Sequence, residues 1–136
     1  MSRYFNREGQ SITRDEWAEL HTEEYKRVAQ TDLGDLGLVS TVWLGLDHRW
    51  DEGPREIFET LVFGGALADE MRRYATEAAA KTGHGYMVKR VRDERDELER
   101  IASKPEVQEA LELLTAVGID GAKYQRLLSE RKDQIA

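Results

Sequence analysis

Residues 38–65 read LVSTVWLGLDHRWDEGPREIFETLVFGG, two apolar strand-like runs joined by a polar loop. How those two runs pair decides the fold. Residues 38–46 contain Val39, Thr41, Val42 and Trp43, β-branched or aromatic side chains that suit a pleated, half-buried surface. Residues 47–55 form a loop punctuated by Gly53-Pro54, and residues 56–63 form the second strand. An antiparallel hairpin is the economical connection. Residues 71–74 return as a third strand and complete a meander.

Side chains alternate between the two faces of a strand. In the first run Leu38, Ser40, Val42, Leu44, Leu46 and His48 make the more apolar face, so this even-numbered face is expected to meet the core. Val39, Thr41, Trp43, Gly45 and Asp47 make the other. In the second run Ile57, Glu59, Leu61 and Phe63 share a face, opposite to Phe58, Thr60 and Val62. Pairing Leu46 with Ile57 sets Leu44 opposite Glu59 on the core face, with His48 at its rim. A slip of one residue places Glu59 outside, where Arg72 or Arg73 is its cross-strand partner.

The flanking segments complete an α+β reading. Arg3-Tyr4-Phe5 and Gln10-Ser11-Ile12 flank a turn in which Gly9 takes a positive φ, which predicts a small N-terminal β-hairpin. Thr13-Arg14-Asp15-Glu16 matches a capping box, and a helix is expected from there to about Gln30, with Gly34 and Gly37 ending this part. Thr76 opens a long helix reaching about Ser103, with Ala80, His84, Met87 or Val88, and Val91 on one face. Gly83 and Gly85 within it mark a close backbone approach or a break. Pro105 suits a first helical turn and Gly118 a helix end. Asp120 then caps a last helix with Tyr124, Leu127 and Leu128. The fold class expected is a small antiparallel sheet, N-terminal hairpin plus meander, packed by helices, with a C-terminal helical hairpin. Residues 1–103 form the body and residues 104–136 the extension.

Composition narrows the function classes. The 136 residues carry a formal net charge of −7, against the basic face that a dedicated nucleic-acid binder needs. The charge is uneven: residues 1–68 hold 7 Lys+Arg and 13 Asp+Glu, so a basic partner would meet that half more favourably. No cysteine is present, which removes thiolate metal sites and Cys nucleophiles. Without an apolar leader in MSRYFNREGQ and without a long apolar run, the expected location is the cytoplasm, away from membranes.

The chemistry-bearing candidates are His48, Glu59, His84 and Asp47. If the long helix packs on the sheet with His84 inward, His48, Glu59 and His84 converge. Two imidazoles and a carboxylate then form a set that a divalent metal would fit, with Asp47 orienting a ligand, or do general acid–base work. The plainer reading makes His48 a turn residue, His84 a hydrogen-bonded helix histidine and Glu59 half of an ion pair. No HExxH, phosphate-loop or GxSxG motif is present, so no catalytic residue is assigned and no cofactor is implied. Arg49 and Trp50, an aromatic beside an arginine on a loop, read as a protein-contact anchor, or Trp50 folds back on the hairpin.

The blocks VSTVWLGLDH (39–48), IFETLVF (57–63) and RYATEAAAKTGH (73–84) resemble small proteins encoded in phages and prophages of actinobacteria. The resemblance spans about Tyr4 to Val91. It implies a phage-type accessory protein acting in a bacterial host cytoplasm, and it assigns no catalytic residue. Three readings follow. The first is a non-enzymatic protein that binds a host or phage protein, in one version as its inhibitor. The second is a small metal-dependent or acid–base enzyme, or small-ligand binder, using His48, Glu59 and His84. The third is a phage structural subunit that assembles through its helices, with a homodimer through the long helix as its simplest form.

Overall fold

A computed structural model describes residues 3–49 and 52–118. Four strands form one antiparallel sheet in which each pairs with the next in sequence: β1 (Arg27–Asp32), β2 (Leu38–Trp43), β3 (Phe58–Phe63) and β4 (Met71–Tyr74). The meander expected for residues 38–74 is therefore present. A further strand, β1, lies where the N-terminal helix was expected to continue. That helix stops after one short element, α1 (Arg14–Leu20), with the capping box of Thr13 and Glu16 in place. The Thr22 hydroxyl then accepts from the Tyr25 amide and starts a single turn, α2 (Glu23–Lys26). Arg27 onward is extended. Val28 and Thr31 are β-branched and disfavoured in a helix, and the open edge of β2 offers their backbone a ladder. A bulge between Arg27 and Ala29 adjusts the pairing.

The N-terminal hairpin closes as expected, with Gly9 at φ 82° and a bridge between Phe5 and Ser11. It is tied to the end of β2: Phe5 N–H donates to the Gly45 carbonyl at 2.8 Å and Asp47 N–H to that of Arg3 at 2.9 Å.

The long helix, α3 (Glu77–Ala102), runs unbroken through Gly83 and Gly85, capped by Thr76. It lies across all four strands and buries Ala80, His84, Met87 and Val91, the stripe expected from the spacing. A Cβ at Gly83 would overlap the Tyr74 ring, so that ring packs on the helix backbone there; nothing around Gly85 requires glycine. α4 (Pro105–Ala116) begins with Pro105 in its first turn, and Gly118 follows at φ 87°. The expected last helix, with Asp120, Tyr124, Leu127 and Leu128, lies outside the described residues.

The core face is the opposite of the one expected for β2. Val39, Thr41 and Trp43 are fully buried under α3, as are Phe58, Thr60 and Val62 of β3, while the even-numbered residues of β2 are half-exposed. The reason is energetic. Trp43 is the largest apolar side chain of the run, and burying an aromatic outweighs burying two aliphatic chains that stay half-covered on the other face. Thr41, the polar residue of the odd face, keeps its hydroxyl bonded to that of Thr60 across the ladder.

That pairing organises the core into three rows. Trp43 and Phe58 lie opposite each other, as do Thr41 and Thr60, and Val39 and Val62. The first row joins Phe5, Ile57 and Ala80 in one apolar cluster. The third joins Leu67, Met87 and Val91 in another. The threonine row lies between the two clusters.

Candidate functional site

His84 projects from α3 onto the threonine row. Its Nδ1 lies 2.7 Å from Thr41 Oγ1 and its Nε2 2.8 Å from Thr31 Oγ1, while Thr41 Oγ1 and Thr60 Oγ1 are 2.5 Å apart. Both ring nitrogens are thus engaged by hydroxyls, which act as donor or acceptor as the tautomer demands. The residue is 7 % exposed. Burial alone lowers its pKa from 6.5. This is the hydrogen-bonded helix histidine of the plainer reading.

Glu59 is on the far side of the sheet. It stands opposite Arg73 and accepts from its Nε at 3.1 Å, the ion pair expected when Glu59 faces outward. The register differs from the one that would have set it against Leu44: Val42 is its partner across β2. His48 is exposed beyond the bridge from Leu46 to Tyr4. Asp47 organises its own loop, its Oδ1 accepting from the amides of Arg49 at 3.0 Å and Glu56 at 3.2 Å. The structure therefore does not bring His48, Glu59 and His84 together, and among the described residues no group of three His, Cys, Asp or Glu side chains is arranged to hold a metal. Arg49 is half-buried; Trp50 lies outside the described residues. His21 packs its ring at 4.7 Å from that of Trp17 and 5.7 Å from that of Trp43.

The buried histidine sets a pH dependence. The folded pKa is lowered, so His84 contributes full stability above about pH 6.5, the unfolded value, and that contribution is lost as pH falls toward the folded value. The melting temperature is expected to drop between pH 7.5 and 5.5, with a slope of at most about 1.4 kcal/mol per pH unit for one proton. In His84→Gln the slope should shrink. An unchanged slope in that variant would mean another group is responsible.

Among the described residues one concave surface lies on the outer side of β1 and β2, beside His21, Lys26, Gln30 and Val42, and a larger one lies between β4 and the first turns of α3. The larger is an open, apolar groove of about 690 Å³. Arg72 and Tyr74 of β4 form one wall. Ala78, Ala79, Thr82, Gly83 and Tyr86 form the other, one helical face at i, i+4 spacing. Ala78, Ala79 and Thr82 leave the helix surface low, while the Tyr74 ring lies over Gly83. Tyr86, at 67 % exposure, stands at the end of this face as an unburied aromatic.

The groove runs beside an open sheet edge. β4 is the last strand of the sheet, with no further strand beside it among the described residues. Val62 N–H donates to the Glu70 carbonyl and Ile57 N–H to that of Tyr74, each at 3.1 Å. The even-numbered residues thus turn their backbone toward β3. By alternation, Met71 and Arg73 turn theirs toward the edge.

Sequence reasoning named Arg72 and Arg73 only as partners for Glu59 and missed the groove. The available signal is Ala78, Ala79 and Thr82, small residues beside the buried stripe of α3 at i, i+3/i+4 spacing. Comparison with protein-family models, with curated proteins and with solved structures finds no match to this chain.

Proposed function

We propose that this chain is a phage-type accessory protein that acts by binding another protein, and that it takes up an extended segment of that partner as a fifth strand on β4. The observation that carries this reading is the coincidence of the open β4 edge with an apolar groove along the same strand. Strand addition draws affinity from main-chain hydrogen bonds and specificity from pockets for alternate side chains. Met71 and Arg73 supply the first. The hollow over Ala78, Ala79 and Thr82 supplies the second. The separation of His48, Glu59 and His84 leaves the metal-dependent reading without a shared site.

The test is an NMR titration of the ¹⁵N-labelled full chain with ten-residue peptides of alternating apolar and polar residues. Shifts are expected at the Met71 and Arg73 amides and at Ala79, Gly83 and Tyr86. Ala79 is exposed, so Ala79→Trp fills the groove without disturbing the core. It should weaken binding by ~10-fold or more, the equivalent of one good contact. Shifts confined to the outer sheet face, at Leu61 and Phe63, would sink the proposal.

A further inference from the structure

Arg72 and Tyr74 are two residues apart, so both face the groove, with Arg72 directly opposite buried Thr60 across the ladder. Arg72 is exposed, and its guanidinium has no hydrogen-bond or ion-pair partner among the described residues. The charges around it are already matched. Glu70 pairs with Arg90 at 2.8 Å, Glu77 with Arg7 and Lys81, and Lys89 with Asp93. On the outer face Arg73 holds Glu59. Glu70, whose carboxylate Arg90 holds, feels the Arg72 charge at longer range, so the groove carries one positive charge with no direct ion pair, at the register position that a fifth strand would meet head-on.

The same arginines argue against a second copy as the occupant. Two β4 edges joined antiparallel about a two-fold axis through the middle of the strand set Arg72 opposite Arg72 or Arg73 opposite Arg73. Like charges directly opposite each other destabilise a strand pair, and opposite charges stabilise it.

We infer that the strand bound on β4 is acidic: it carries a carboxylate opposite Arg72 and, two residues away on the same face, a large apolar side chain opposite Tyr74. The apolar side chain lies over Ala78 and Ala79, where the helix leaves room. This assignment rests on the strand-addition reading above and specifies the partner that reading takes.

The experiment uses ten-residue threonine-based peptides holding one Glu and one Phe at i and i+2, in both orders, with Lys and Gln counterparts in place of Glu. Each is titrated into the full chain and followed by fluorescence anisotropy. The Glu peptide is expected to bind about 3- to 10-fold more tightly than the Lys peptide, the span between an attractive and a repulsive cross-strand pair. In Arg72→Glu the order should reverse, and in Arg72→Gln the difference should vanish. Equal binding of Glu and Lys peptides, abolished for both by Ala79→Trp, would overturn the acidic preference and leave strand addition standing. No binding of any peptide would overturn both.

Discussion

Trp43→Ala is expected to destabilise the fold by about 3–5 kcal/mol, the range for deleting a buried aromatic side chain. Trp43 is fully buried and belongs to the cluster of Phe5, Ile57, Phe58 and Ala80. Its ring meets that of Tyr25 edge-on at 4.9 Å, and its Nε1 donates to the Phe5 carbonyl at 2.9 Å. One side chain thus joins the sheet to the N-terminal hairpin and to α2. A domain of this size holds ~5–15 kcal/mol in total, so the variant should unfold at a much lower denaturant concentration. Trp43→Phe keeps most of the apolar volume and loses the hydrogen bond, which costs ~0.5–1.5 kcal/mol for the bond itself plus the partial cavity. Denaturant unfolding followed by circular dichroism measures both. Equal midpoints for Trp43→Ala and the natural chain would show that the cluster does not hold the two parts together.

The second large effect is at Gly65. Its φ is 77°, and a Cβ placed there would sit inside the van der Waals envelope of the Leu36 carbonyl oxygen. That oxygen belongs to the 3-10 turn Gly34–Leu36 and cannot withdraw without moving the turn. Gly37, just before β2, likewise approaches the backbone of Phe63 and Gly64 just after β3. The two loops therefore touch backbone to backbone where the ladder ends at Leu38 and Phe63. Gly65→Ala is expected to cost about 1–2 kcal/mol for the left-handed backbone and at least as much again for the overlap, roughly 3 kcal/mol or more. Gly64 has a similar φ of 70° and nothing within reach of its Cβ. Gly64→Ala should then show the conformational part alone, about 1–2 kcal/mol. Thermal melts of the two variants side by side separate the terms, and equal losses would remove the steric argument.

The meander and the long helix were legible because their signals are local. Val39, Thr41, Val42 and Trp43 favour strand, Thr13 and Glu16 cap α1, and Ala80, His84, Met87 and Val91 repeat at helical spacing. What was not legible depends on partners distant in sequence. β1 is extended because β2 lies beside it, which the helix-like spacing of the preceding residues concealed. The buried face of β2 differs from the one its apolar count favours, because the polar Thr41 is accommodated inside. In the fold its hydroxyl is satisfied by Thr60 and His84, neither of which can be assigned to it from the chain alone. Of the four candidate residues, His84 was placed correctly on the inner stripe and Glu59 was balanced between two registers. The observed register is neither: Val42 stands opposite Glu59, so Glu59 shares the even-numbered face of β2 and lies outside because that face is the outer one, where Arg73 pairs with it. The groove needed both β4 and α3 in position before its hollow existed.

The order of the strands in the sheet follows their order along the chain. Every pairing therefore closes a loop between near neighbours, and the entropy lost in closing a flexible loop grows only with the logarithm of its length. Doubling the stretch between β2 and β3, residues 44–57, would cost about 0.6 kcal/mol. Chain closure thus sets only a weak limit on the length of the connection that carries His48 and Arg49; what fixes its two ends is the contact they keep, Leu44 N–H on the Ile57 carbonyl at 2.7 Å.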